Sequence, residues 1–256
     1  MSINLERTPM VISSAARLSP NSSTSSNFTF NLNRSVSRIT DIIVRSIQLP
    51  FTFYTVNSTN NVLTFNNNSL SITITPGNYT TATIAIELKS KMDSVFGDSS
   101  TNVSFLNSSF KLTITRSTPF SIDAAASVPA STFAILIGFK TSSVTDTTAT
   151  SDVVINLSGP NYIVIESKFL TKAIQNKVTY VNNSYSDALV VVPVSVAPGD
   201  IISLIDDPFI PIKLNYQFSI KPTDIIDIKI KDDVGNILDL NGADFSMQLI
   251  LINNKA

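Results

Sequence analysis

Apolar and polar residues alternate along much of this chain, with a period of two. The pattern is clearest in NFTFNL at 27–32 and in IIDIKIK at 225–231. Such alternation is typical of β-strands that have one dry face and one wet face. The stretch 41–56, DIIVRSIQLPFTFYTV, is apolar on both faces and predicts a buried strand that bends at Pro50.

Turn residues separate the other strand patterns. In the first half these patterns lie at 62–65 and 69–74 and in a hairpin over 102–115, and the tract 141–152 reads as a polar loop. Roughly ten strand candidates with one helix favour a β-sandwich or a barrel. The strands predicted in the second half, besides 225–231, are VVINL (153–157), NYIVIESKFL (161–170), ALVVVPVSV (188–196), DIISLI (200–205), FIPIKL (209–214) and DFSMQLILI (244–252).

One helix is predicted after Pro76-Gly77. Thr80 or Thr81 can cap its start, and Gly97 stands where a left-handed C-terminal glycine belongs. A single apolar stripe predicts core packing and not a ligand site; its residues are Ile84, Leu88, Met92 and Val95.

The composition of the chain narrows the range of functions to consider. The chain has no histidine, no cysteine and no tryptophan, and only 14% of its residues are charged. Most acid–base, nucleophilic and metal chemistry near neutral pH uses histidine or cysteine. Glu87 and Glu166 are the only glutamates well inside predicted elements, and nothing pairs them as a glycosidase requires. We therefore predict no enzyme activity, no catalytic residue and no cofactor.

The strongest candidate for a metal site is an acidic run near the C-terminus. Asp239, Asn241 and Asp244 surround Gly242, and Asp232-Asp233 lies just before them. Oxygen ligands spaced around a glycine are what a calcium loop uses, but the bidentate glutamate and the length of an EF-hand loop are missing. Two β-turns explain the same residues, so we predict no metal ligand here.

The net charge of the chain limits the kinds of binding partner to expect. The formal net charge is −1, which gives no general attraction to nucleic acid. Five arginines in the first 50 residues either are simply solvated or meet an anionic partner; they are Arg7, Arg17, Arg34, Arg38 and Arg45. No apolar run is long enough for a signal peptide or a membrane span, so we expect a soluble protein made in a cytosol.

Several segments, in order, resemble the penton (minor capsid) proteins of virophages and polinton-like elements. They are SITITPGNYTTATIAIELKSKM at 71–92, FAILIGFK at 133–140, NYIVIESKFL at 161–170 and the closing stretch 208–252 with its D-x-x-G turn and the pair Asp244-Phe245. The order and spacing of these motifs carry the resemblance, which covers about half of the chain.

The resemblance implies an all-β fold, a single jelly-roll sandwich of two antiparallel sheets. Residues 1–26 would be a flexible N-terminal arm, either disordered or packed on a neighbour. Residues 27–256 would form the jelly-roll domain, in which 76–150 is either a small inserted domain or an ornamented loop. No functional residues follow from the resemblance.

The implied function is structural. Homopentamers would occupy the five-fold vertices of an icosahedral double-stranded DNA virus or virophage shell, next to a major capsid protein of double jelly-roll trimers. The protein would be found in the virion after synthesis and assembly in the host cytoplasm, and its outer face would be the place for a host-surface ligand. The alternative is a jelly-roll attachment or carbohydrate-binding protein, of the lectin or fibre type, and the absence of tryptophan disfavours it.

Overall fold

A computed structural model describes residues 5–18, 23–105, 109–174, 187–205 and 212–254. Parts of the predicted arm, at 1–4 and 19–22, and the start of the strand predicted at 209–214 lie outside these ranges. The chain forms two compact units: unit 1 is Met1–Phe53 with Pro160–Ala256, and unit 2 is Tyr54–Gly159. The predicted insertion, 76–150, falls within unit 2.

Strands dominate both units. In chain order they are β1 (Leu5–Ser13), β2 (Asn27–Phe30), β3 (Val36–Pro50), β4 (Val62–Phe65), β5 (Leu70–Thr73), β6 (Asn102–Phe105), β7 (Leu112–Phe120), β8 (Asp146–Thr150), β9 (Tyr162–Glu166), β10 (Ala188–Pro193), β11 (Ile201–Ile205), β12 (Ile212–Ile220), β13 (Ile226–Lys231) and β14 (Ser246–Asn254). The α-helices are α1 (Thr81–Phe96) and α2 (Lys168–Thr171), and short 3₁₀ turns cover Ser14–Ala16 and Thr132–Ile135.

Unit 1 is a sandwich of two antiparallel sheets. Sheet I has the order β1-β14-β3-β11, and β12 pairs with the other end of the long strand β3. Sheet II has the order β10-β9-β13-β2. If β11 and β12 count as one position, sheet I holds the first, eighth, third and sixth strands of the unit, and sheet II holds the fifth, fourth, seventh and second. Apart from the hairpin β9-β10, which lies within sheet II, successive strands thus alternate between the sheets in the Greek-key manner, which makes unit 1 a jelly roll, as predicted.

The core of unit 1 lies between its sheets. Ile12 and Leu249 come from sheet I and Ile165 and Ile228 from sheet II, and all four belong to one buried cluster. Period two explains this arrangement, since in β13 the three isoleucines are fully buried while the residues between them are half-buried. The predicted alternation of 225–231 is therefore confirmed.

Strand β1 is the main difference from the predicted organisation. Its residues lie in the segment 1–26, for which the sequence predicts an arm, yet all nine pair with β14 from Leu5↔Asn254 to Ser13↔Ser246. Met10 and Ile12 point into the core and are at most 5% exposed. Pro9 is tolerated because β1 is the edge of its sheet, where a missing N–H costs no ladder bond.

A second difference lies at the end of β9. The sequence predicts a strand over 161–170, but β9 ends at Glu166 and the one-turn helix α2 follows. The Ser167 hydroxyl accepts from the Leu170 N–H at 3.2 Å, and the Asp227 carboxylate accepts from the N–H groups of Lys168 and Phe169. These caps satisfy the first donors of the turn and end the strand.

Unit 2 contains the predicted helix and hairpin. Helix α1 begins after Thr80, whose hydroxyl forms a capping box with Thr83, and it ends at Gly97 in the left-handed conformation. Ile84, Leu88 and Met92 are fully buried in a core separate from that of unit 1. The two-stranded β4-β5 and three-stranded β6-β7-β8 sheets supply about half of the remaining core, and the segment 133–139 supplies much of the rest.

Two local predictions for unit 2 are wrong. The tract 141–152, predicted as a polar loop, contains β8, because threonine is β-branched and Ala149 packs opposite Ile114 at 2% exposure. The stretch 153–157, predicted as a strand, is not one. Its N–H groups bond to the carbonyls of three other positions, Gly138, Phe110 and Leu136, and form no ladder.

Candidate functional site

The acidic run near the C-terminus is used for turn structure. Asp232 accepts hydrogen bonds from the N–H groups of Val234 and Asn236, at 3.1 and 2.7 Å. Asp239 accepts from the Asn241 N–H at 2.9 Å. Carboxylates that cap their own turns explain the Asp, Asn and Gly content. Within the described ranges, no group of three or more acidic side chains is arranged to hold a metal ion.

Asp244 anchors the chain that follows β1. Its Oδ1 atom accepts from the Ser14 hydroxyl at 2.6 Å and from the Arg17 guanidinium at 3.1 Å. The Ser14 hydroxyl in turn accepts from the Phe245 N–H, and the Phe245 ring is buried 5.8 Å from that of Phe28. The acid–aromatic pair in the closing segment thus ties the first strand of the jelly roll to the last.

The five N-terminal arginines do not form one site. Arg17 is paired with Asp244, as described, and Arg7 lies in β1 opposite Ile252. Arg38 has a φ of 56° in β3, where the register of β12 shifts, and its N–H donates to the Ser219 hydroxyl. Arg45 lies between Val44 and Ser46, at a second register shift, against β14. Bulges of this kind turn side chains out of the regular pleat.

The outer face of sheet I carries apolar residues on its two outermost strands. Val11 of β1 is 71% exposed and Ile205 of β11 is 75% exposed. Both belong to one row of paired residues that crosses the sheet, because Val11 pairs with Gln248, Gln248 with Ser46 and Ser46 with Ile205. Within the described chain, β1 and β11 each pair on one side only.

A groove of about 190 Å³ opens beside β1. Four of the residues that line it belong to β1, and the others belong to the β2–β3 loop, β3 and β14. The lining residues are Thr8, Pro9, Met10, Val11, Leu32, Arg34, Val36 and Leu251. Apart from Thr8 and Arg34 the side chains are apolar, so the groove suits an apolar side chain from outside.

Unit 2 has an apolar surface of its own. Phe110, Ile135 and Val154 are 65%, 63% and 51% exposed. They lie on three segments joined by backbone hydrogen bonds, from Ile155 N–H to the Phe110 carbonyl and from Asn156 N–H to the Leu136 carbonyl. Phe110 has a φ of 53°, a conformation that is costly for an aromatic residue.

Within the described part of the chain, the carboxylates with shifted pKa lie in unit 2 and have structural roles. The Thr141 N–H is the main cause that lowers the pKa of Asp152, helped by the Thr141 hydroxyl and the Lys140 N–H. The Ser100 N–H and the Arg116 guanidinium hold the pKa of Asp98 below its usual value. Arg116 is buried, 2.6 Å from Asp98 and 3.9 Å above the Phe96 ring, so it serves the packing of unit 2.

The two glutamates inside elements are also in structural contacts. Glu87 accepts from the Thr75 hydroxyl at 2.8 Å, and Glu166 pairs with Lys231 at 2.7 Å.

In the described residues, no helix is both long enough and apolar enough to span a bilayer.

Comparisons with known proteins find similarity among solved structures. No family model matches the chain, and no curated protein sequence matches it. The chain is similar to the crystal structure of the mavirus penton protein, with 11% sequence identity and a TM-score of 0.47, over 98% of this chain and 100% of that chain.

Proposed function

We propose that this chain is a structural protein of an icosahedral virus capsid and that five copies form a ring at each five-fold vertex. The observation that carries the proposal is the jelly-roll order of unit 1. Strands β13 and β14, which complete that order, lie in the closing stretch whose motifs resemble those of penton proteins. A fold alone does not assign a function, so the motifs and the surface must agree with it.

The surface of unit 1 supports self-assembly. A closed ring needs two different surfaces on each copy, because the contact is head-to-tail. Sheet I has two outer strands, β1 and β11, and both expose branched apolar side chains. Apolar side chains exposed on edge strands favour contact with another chain.

The wider partners follow from the same proposal. The pentamer would contact a major capsid protein made of double jelly-roll trimers, in the shell of a double-stranded DNA virus or virophage. The protein would be made and assembled in the host cytoplasm and found in the virion. Its role would be structural, with no catalytic step.

The mass of the purified protein in solution tests the proposal. Light scattering on a size-exclusion column, over a concentration series, should find a species of about five times the chain mass of 27.7 kDa. Negative-stain images of that species should show five-fold rings. A stable trimer would contradict the vertex role and favour a fibre or lectin, and a chain that is monomeric at every concentration would contradict self-assembly.

The exposed apolar surface of unit 2 favours attachment as a second candidate function. A strained residue that keeps an aromatic ring in solvent is the kind of outlier found at binding sites. A glycan array probed with the wild-type protein and with Phe110→Ala tests this role. Binding that is lost in the variant would support attachment, and an array with no wild-type signal would contradict carbohydrate binding.

A further inference from the structure

We propose that the two outer strands of sheet I meet between neighbouring copies, so that Val11 of one copy packs against Ile205 of the next. This inference deepens the proposed ring assembly and rests on it for the number of copies. The partner is a second copy of this chain. The contact is head-to-tail, since it joins two different strands of the same sheet.

The register of sheet I carries the argument. Val11 and Ile205 are the two ends of one row, whose middle members are Gln248 and Ser46. Residues of one row share one height along the strand direction. A rotation about an axis parallel to the strands keeps that height, so it brings the β1 end of one row to the β11 end of the row in the next copy.

Exposure and shape agree with this pairing. Val11 and Ile205 are the most exposed large apolar residues of their strands, at 71% and 75%. On the next row of the same outer face the edge residues are Ser13 and Ser203, which form no apolar contact. Val11 also lines the groove beside β1, whose volume of about 190 Å³ can receive an isoleucine side chain.

Charge on a row four residues away along β1 opposes the contact and gives it a salt dependence. Arg7 and Lys213 are both exposed, and they end the row that crosses Ile252 and Asp41. Head-to-tail packing brings these two cations toward each other. Added salt screens their repulsion and leaves the apolar contact in place, so association should strengthen between about 0.05 M and about 0.5 M salt.

The chain has no cysteine, so introduced thiols test the contact directly. Val11 and Ile205 of one copy are three strand spacings apart, about 14 Å, which is too far for a disulfide within one chain. Under oxidation, the double variant Val11→Cys/Ile205→Cys should give a ladder of linked chains that ends at five. Val11→Cys alone and Ile205→Cys alone should stay unlinked.

Control variants and outcomes separate this inference from the ring proposal. The double variant Val234→Cys/Ile205→Cys places a thiol at a site 78% exposed in a turn and should stay unlinked. A wild-type pentamer without cross-links in Val11→Cys/Ile205→Cys would overturn the inference and leave the vertex proposal standing. A ladder that runs past five, or ends at three, would keep the contact and overturn the pentamer. Dimers of Val11→Cys alone would overturn the head-to-tail arrangement.

Affinity provides an independent measurement. Val11→Asp buries an unpaired charge at the contact and should raise the dissociation constant of the assembly by about 100-fold or more, whereas Val234→Asp should leave it unchanged. Because each Asp variant keeps one intact edge, a mixture of Val11→Asp with Ile205→Asp should form heterodimers. An unchanged dissociation constant for Val11→Asp, or a mixture that stays monomeric, would contradict the inference.

Discussion

The backbone at Gly138, within the segment 133–140, requires a glycine. Its φ is +87°, and a Cβ at this position would lie 2.2 Å from the carbonyl oxygen of Val153. The Val153 N–H donates to the Gly138 carbonyl at 3.1 Å, so the two backbones are held together. Gly97 also has a positive φ, +73°, but nothing lies within 4 Å of the Cβ it lacks.

The different surroundings of Gly97 and Gly138 predict that substitution by alanine destabilises the protein to different extents at the two positions. Gly97→Ala should lower the free energy of unfolding by about 1 kcal/mol, because only the left-handed backbone is penalised. Gly138→Ala should cost at least about 2 kcal/mol more, since the backbones must also separate. Urea denaturation followed by circular dichroism measures both. Equal costs for the two variants would show that the close approach at Val153 does not constrain the fold.

Strand β1 allows the most direct test at the scale of an element. If β1 is the first strand of the jelly roll, Ile12→Ala should lower the free energy of unfolding by about 3 kcal/mol, the usual cost of a cavity at a fully buried isoleucine. Ile12 is 2% exposed. The matched control is Val234→Ala in an exposed turn, which should change the free energy by less than about 0.5 kcal/mol.

Thermal and urea unfolding of both variants measure the difference. An Ile12→Ala variant as stable as wild type would mean that 5–13 is a detachable arm, which is what the sequence predicts. That outcome would also remove one of the two edges on which the head-to-tail contact depends.

What the sequence predicts well are elements with local signals. Helix α1 has a cap, an apolar stripe and a terminal glycine within one short stretch, and β13 has three alternating isoleucines. Strand β1 has only Met10 and Ile12 as buried apolar residues, and Pro9 stands directly before them, so its pattern is too short to recognise. Strand β8 has a single buried apolar residue, Ala149.

The candidate contact surface could not be predicted in this way. Val11 and Ile205 are far apart in the chain, and only the pairing of four strands places them on one row. Such pairing is non-local, and a shift of one residue would turn every side chain to the other face. The turn role of the acidic run, by contrast, follows from its local Asp, Asn and Gly residues, and the structure agrees with it.

The pH dependence of stability is a property of the whole molecule. The chain has no histidine, so no side chain with an ordinary pKa changes charge between about pH 5 and pH 8. Among the residues that the structure describes, three carboxyls have a lowered pKa in the folded state, those of Asp93, Asp98 and Asp152, and all three lie in unit 2. For Asp93, burial alone would raise the pKa, but hydrogen bonds from Lys89 and Thr101 outweigh it.

These shifts fix the direction of the pH dependence. A carboxyl whose pKa is lower in the folded state stabilises the fold above its unfolded pKa, about 3.9 for aspartate, and this stabilisation is lost as the pH falls through the folded pKa. The free energy of unfolding should therefore be flat from about pH 5 to pH 8 and decrease below about pH 4. Urea denaturation at a series of pH values measures this free energy.

The variant Asp152→Asn should lose about 1 kcal/mol of its free energy of unfolding at neutral pH and show a shallower decrease in acid. The reason is that the N–H groups of Lys140 and Thr141 no longer donate to a charged group. A stability change centred between pH 5 and pH 8 would contradict this account, and so would an acid decrease that Asp152→Asn leaves unchanged.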